Sequence, residues 1–296
     1  MQTNTSKRHG LTRDDSRQLC GKILGFAKAD HTRVNITSGI SAFTRTAINR
    51  ITTAGEINNV NVRIASVFGK RVGSVGTNRL DDASLERAVR DAEALAQIAP
   101  ENPEYLPELG AQQYGQVDGY YSSTGNLTTE ARARAASLGI KAADSAKFIA
   151  AGFIDVNAGS ECIATSNGLF GYSSGTGVAS TLTIRTPDGL SSGWAGGEGA
   201  DWETIEPDRI AADALRKCRD WRGKTALDPG KYEVILEPTA VGMLMTRMLG
   251  VFDARQADEG RSFFAKRGGG NRLGEKLFDD RVTIVQSDDV DACTLG

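Results

Sequence analysis

The apolar positions of this chain change their spacing along its length, and that spacing limits what each segment can become. Over residues 12–29, Leu19, Ile23, Leu24 and Ala27 recur at three- and four-residue intervals. That spacing predicts a helix with one buried face, capped by Thr12 or Asp14. Strand-like segments follow at 34–36 and 43–51, and then Val60, Val62, Ile64, Ser66 and Phe68 alternate at period two. Gly69-Lys70, between Phe68 and Val72, predicts a tight hairpin. Asp82 or Ser84 opens a second helix, with Leu85, Ala88, Val89, Ala92, Leu95 and Ala96 on one face, and Pro100 ends it.

The stretch 101–126 is rich in Pro, Gly, Gln and Tyr and reads as a connecting loop. Thr128-Thr129-Glu130 caps a helix expected to run to about Ala151. Residues 153–202 are strand-rich, with turn signals at Asn167-Gly168 and Asp188-Gly189. Residues 208–221 are helical in pattern, 232–236 begin a strand, and 239–252 form a helix. The apolar stripe of that last helix is Val241, Leu244, Met245, Met248 and Phe252. No internal repeat is visible. The pattern divides the chain into an α/β region (1–100), a loop (101–126), a helix and β-meander region (127–226) and a further region (227–296). Helices and hairpins in this order imply an α+β fold.

Composition narrows the function more than the fold. Of the 296 residues, 40% are apolar and 24% charged, the usage of a water-soluble protein. A net charge of −2 supplies no general attraction to nucleic acid. The polar start of the chain holds no apolar core of a signal segment, and no apolar run approaches a membrane span, so a cytoplasmic location without membrane contact is expected. Cys20, Cys162, Cys218 and Cys293 are too widely spaced for a Cys-x-x-Cys motif and read as structural thiols.

Three motifs invite chemistry and have plainer readings. Gly171-Tyr172-Ser173-Ser174-Gly175 and Gly189-Leu190-Ser191-Ser192-Gly193 match the G-x-S-x-G pattern of serine hydrolases. Neither is followed by a histidine, since the only histidines are His9 and His31, so both read as Gly/Ser-rich hairpin sequence. Arg267-Gly268-Gly269-Gly270-Asn271-Arg272 lacks the Gly-Lys-Ser/Thr ending of a phosphate loop and reads as a mobile surface loop. Asp288, Asp289 and Asp291 lack the spacing of a calcium loop and read as a solvated tail.

Residues 231–285 carry a more specific signal. The run Glu259-Gly260-Arg261-Ser262-Phe263, and Leu273-Gly274-Glu275-Lys276 leading to Val282-Thr283-Ile284-Val285, resemble the TldD/PmbA family of zinc-peptidase-like proteins, also called modulators of DNA gyrase. The catalytic branch of that family carries a His-Glu-x-x-x-His zinc motif on the helix before EGRS. In the register the resemblance implies, those positions hold Thr246, Arg247 and Val251. The resemblance therefore implies a PmbA/TldE-like chain without a zinc site of its own, in which a cation at the glutamate position opposes metal binding.

It further implies pairing with a zinc-bearing TldD-like chain, or with a second copy, around a cavity where unfolded or modified peptides are cleaved. Glu259, Gly260, Arg261 and Ser262 are candidate contacts to substrate or partner; the plainer reading is a Glu–Arg pair bracing a turn. Two other readings remain open: a free-standing binding protein or degenerate fragment, and a hydrolase with an unrecognised centre. The resemblance also implies that the 227–296 region begins a β-rich C-terminal domain that is cut short, leaving unpaired strand edges expected to aggregate.

Overall fold

The computed structural model describes residues 10–115, 119–221 and 225–284. It divides into two units, 1–224 and 225–296. The first is built on one antiparallel six-stranded sheet in the order β3-β2-β1-β4-β5-β6. Its strands are β1 (His31–Ala47), β2 (Arg50–Phe68), β3 (Arg71–Thr77), β4 (Ile149–Thr165), β5 (Phe170–Arg185) and β6 (Ser192–Gly199). Four long helices pack on it: α1 (Arg13–Phe26), α2 (Asp82–Ile98), α4 (Thr129–Ser145) and α5 (Pro207–Asp220). A short α3 (Ser122–Gly125) precedes α4. The expected α+β class is observed.

The local rules explain most boundaries. Thr12 caps α1 by accepting from the Asp15 N–H, Thr128 caps α4 from Ala131, and Asp81 caps α2 from Ser84. Asp82, one of the two residues expected to open α2, is its first residue, and Asp81 before it is the cap. Phe68 and Arg71 pair across the Gly69-Lys70 turn, as expected. The expected single strand over 43–51 is instead the end of β1, a two-residue turn and the start of β2. Ile48 and Asn49 both have positive φ, 50° and 56°, the conformation of a tight hairpin turn. Nothing in an Ile-Asn pair advertises it, because a β-branched residue resists this conformation. Asn49 supports it by donating to the Phe148 carbonyl at 2.8 Å and by accepting from the Ala150 N–H at 2.5 Å. The helix expected to reach Ala151 stops at Ser145, and β4 begins at Ile149.

Residues 1–100 and 127–226 supply the two halves of one sheet, because β1 and β4 pair from Arg33↔Thr165 to Thr46↔Gly152. The halves repeat each other. Each runs helix, three antiparallel strands, helix, with its first strand at the centre and its last at an edge. No repeat was visible in the residues, yet the glycines mark it. Gly39 faces Gly159 at the middle of the central pair. Gly39 has φ 151°, and a side chain on it would sit 2.2 Å from the Ala158 carbonyl oxygen. Near the edges, a methyl on Gly73 would lie 2.2 Å from the Ala92 carbonyl of α2, and one on Gly193 at 2.2 Å from the Ala214 carbonyl of α5.

The even-numbered residues of β1 from Thr32 to Thr46 are buried beneath the helices. Two cores result. One joins Ile23, Val34, Ile36, Val62, Leu85 and Val89 with Cys162 and Ala164; the other joins Ala42, Ile154, Val156, Leu182, Ile184 and Ile210. Between them the Ser38 and Ser160 hydroxyls meet at 2.9 Å, and both hold Leu11, whose N–H reaches Ser38 and whose carbonyl accepts from Ser160.

The second unit has α6 (Pro238–Leu249) and α7 (Ala254–Asp258). The strands expected at 232–236 and from Val282 are not formed among its described residues, whose pairing is limited to an isolated Ala265↔Asn271 bridge. Apolar alternation without a neighbouring strand to bond to gives extended chain rather than sheet. Val285 and the residues after it, including Asp288, Asp289, Asp291 and Cys293, lie outside the described residues, as does His9.

The helix-to-strand approaches give a paired test. Gly73→Ala and Gly193→Ala should each destabilise the protein by about 1–3 kcal/mol, because backbone rather than a side-chain tip must move. Gly21→Ala, on an open face of α1 with nothing within 4 Å, should instead stabilise by up to about 1 kcal/mol. Denaturant unfolding of the three variants checks the contrast in sign.

Candidate functional site

α6 begins with Pro238 at its first turn and has no buried residue. Val241, Met243, Leu244 and Leu249 are all exposed along it. Thr246 turns its hydroxyl back onto the Gly242 carbonyl at 3.0 Å, which commits that oxygen within the helix. Arg247 is exposed in the last turn, where a cation suits the negative end of the helix dipole. Val251 follows the helix, half-buried.

The EGRS run is the stop signal of α7. Glu259 is the C-cap, and Gly260 follows it at φ 76°. The Arg261 N–H bonds the Gln256 carbonyl at 2.8 Å, and the Gly260 N–H bonds the Ala257 carbonyl at 3.2 Å. These two crossed bonds form a Schellman motif, which satisfies the last carbonyls of the helix and needs a residue that tolerates positive φ. The Glu259 carboxylate accepts from Arg255 Nε at 2.8 Å and from Arg261, through Nε at 2.9 Å and again through Nη2. Those bonds, with Arg255 the larger influence, hold the Glu259 carboxyl below its ordinary value.

Ser262 donates to the Val251 carbonyl at 2.7 Å, so the chain folds back on the end of α6. Phe264 packs edge-on against both Phe252 and Phe263, and Arg272 lies over the Phe263 ring at 4.9 Å. The Gly268-Gly269-Gly270 loop closes through Lys266 N–H to the Gly270 carbonyl and the Lys266–Glu275 ion pair at 2.8 Å. The structure thus brings Val251 to Ser262, and Glu259 to Arg261. It brings Thr246 and Arg247 to neither.

The serine motifs are not elbows. Gly171–Gly175 lies within β5, paired to β4, rather than in a hairpin turn. Ser191 is buried and donates to the Cys218 carbonyl, and His31 sits against Asn167 at 3.2 Å.

Comparison with known proteins bears on the second unit first. Residues 229–292 match the model of the PmbA/TldA metallopeptidase C-terminal domain. The likeness to the PmbA/TldA domain is carried by that segment. No curated protein matches. A Thermotoga maritima protein provisionally assigned as a modulator of a DNA gyrase has the same fold, with a TM-score of 0.70 and 18% identity over 82% of this chain and 57% of its own. A Bacteroides thetaiotaomicron protein with the same provisional assignment gives 0.71 and 15% over 85% and 60%. TldE of Thermococcus kodakarensis gives 0.57 and 15% over 69% and 47%. The chain therefore spans about half to three-fifths of the length of these structures.

The likeness of residues 229–292 to a metallopeptidase domain raises the question of which donor atoms stand at the positions named from the sequence. The Thr246 hydroxyl is engaged on its own helix, Arg247 is a cation and Val251 has no donor atom. A zinc centre needs about three nitrogen, sulfur or carboxylate ligands, and these side chains do not suit it.

Two outcomes follow from the α7 stop. Gly260→Ala should cost about 1–2 kcal/mol, read by denaturant unfolding of the full chain, because its φ is left-handed. A carboxyl held below its ordinary value contributes above the usual carboxylate range and loses that contribution as pH falls through its folded value. Arg255→Gln should accordingly raise the Glu259 titration midpoint toward the ordinary value, as followed by NMR.

Proposed function

We propose that this chain is the non-catalytic, PmbA/TldE-like member of a pair whose other member is a TldD-like zinc peptidase, and that the pair cleaves unfolded or modified peptides. The observation that carries the reading is the occupancy of Thr246, Arg247 and Val251 within the segment matching the family domain. The likeness in fold to TldE supports it. So does α6, whose exposed Val241, Met243, Leu244 and Leu249 make a surface suited to cover by a partner. Hydrolysis belongs to the zinc of the partner; this chain contributes shape, peptide contacts and the Arg261 fork. A pair of two copies of this chain would, on this reading, be inactive. A cytoplasmic location and absence of direct nucleic-acid binding belong to the same proposal.

The purified chain is expected to hold no stoichiometric zinc and to show no chelator-sensitive peptidase activity. One tightly bound zinc per chain by elemental analysis overturns the reading. Mixed with a TldD-like chain carrying an intact His-Glu-x-x-x-His motif, it is expected to co-elute on size exclusion and to support peptide cleavage.

Arg261→Ala is expected to weaken that assembly or its cleavage by more than its effect on folding accounts for. The Arg261–Glu259 pair is exposed, and such pairs contribute little to stability because solvent screens them. A guanidinium fork bridging partner carboxylates or carbonyls contributes more, and directionally. Co-purification and cleavage, compared with a thermal melt of each variant, separate the roles. Losses matched by the melt return Arg261 to bracing α7 alone.

A further inference from the structure

Cys20 on α1 and Cys162 on β4 are 142 positions apart, yet their sulfurs lie 3.6 Å from each other. Both are buried, at 1% and 6% exposure, where Ile23, Val34, Ile36 and Val62 also pack. The register explains the meeting. Cys162 pairs with Ile36 and points to the helix-covered side, and Cys20 lies on the buried face of α1 with Ser16 one turn before it. The third buried cysteine, Cys218, has the Ser191 carbonyl beside its sulfur, not another thiol.

The two sulfurs differ chemically. Hydrogen bonds from Cys20, then from the Ser16 hydroxyl and the Ile36 backbone, hold the Cys162 thiol below its ordinary value against the effect of burial. Cys20 is pushed up, chiefly by its bond to Cys162 and then by burial. One sulfur is thus disposed to act as thiolate and its neighbour to keep its proton until attack.

We infer that Cys20 and Cys162 form a latent disulfide site, an oxidative modification that fastens α1 to β4. With hydrogen peroxide as oxidant, the Cys162 thiolate attacks one peroxide oxygen and the O–O bond breaks. The hydroxide released takes up a proton, leaving a sulfenic acid and one water. The Cys20 sulfur then attacks the sulfenic sulfur, the S–O bond breaks, and the Cys20 proton leaves with the hydroxyl as a second water. Two thiols are oxidised to one disulfide and one peroxide is reduced to two waters. The sulfurs start at van der Waals separation and must close to about 2 Å, a side-chain movement. The link closes a loop of well over a hundred residues, the length at which a crosslink most restricts the unfolded chain.

The full-length protein is treated with hydrogen peroxide under native conditions and measured by intact mass, non-reducing peptide mapping and thermal melting. The expected result is loss of two hydrogens, a crosslink between the peptides holding Cys20 and Cys162, and a melting midpoint raised by roughly 10 °C. A thiol reductant reverses all three. Cys20→Ser and Cys162→Ser abolish the crosslink, and Cys218→Ser retains it. Oxygen addition without hydrogen loss, a link through Cys218 or Cys293, or a crosslink that forms only in denaturant overturns the inference. Should a serine variant fail to fold, the wild-type peptide map alone decides.

Discussion

The first unit depends on the close pairing of β1 with β4. Fourteen residue pairs, from Arg33↔Thr165 to Thr46↔Gly152, join the two halves of the sheet. Gly39 and Gly159 face each other at the centre, and neither tolerates a side chain. Each strand then contributes to both cores. The first half of β1 packs with the second half of β4, and the reverse holds at the other end. Cores built from shared strands cannot form independently, so the two helix–strand–helix halves make one folding unit. The Ser38–Ser160 bond sits where the cores would otherwise merge, and it supplies the polar partners that fix Leu11 at the start of α1.

The second unit follows different logic. Its family-specific residues include a helix stop: Gly260 turns the chain, Arg261 closes the last hydrogen bond and Ser262 returns it to Val251. These backbone roles of Gly260 and Arg261 are local to the end of α7 and do not depend on what stands at Thr246 and Arg247. Backbone geometry and a contact role for the Arg261 side chain are compatible, since the Schellman bond uses its N–H and leaves the guanidinium on the surface.

Periodicity made the four long helices and most strands readable, because Leu85, Ala88, Val89 and Ala92, or Val62 and Ile64, meet the core at the spacing of their element. Three features were not readable. The Ile48-Asn49 turn opposes the preference of its first residue and is held by Asn49 bonds to a segment a hundred positions later. The internal repeat survives in the positions of close-packed glycines, which carry no hydrophobic signal. The Cys20–Cys162 meeting depends on the register of β1 against β4, which no local pattern encodes. In the second unit, the resemblance located the segment, but apolar alternation at 232–236 predicted a strand where no neighbour among the described residues completes it.

One feature of the sheet's outline bears on its motions. β2 is 19 residues long, but β3 covers it only from Val62 to Phe68. Over residues 50–61 one side of β2 bonds to β1, and no strand among the described residues lies on the other. Successive amides of a strand point to opposite sides, so from Thr53 to Asn61, where the register is regular, every second N–H is locked against β1 while its neighbours face water. Backbone hydrogen exchange there should alternate residue by residue between fast and slow, whereas from Val62 onward both sets are protected. The sheet thus carries, within a single strand, a boundary between one-sided and two-sided protection.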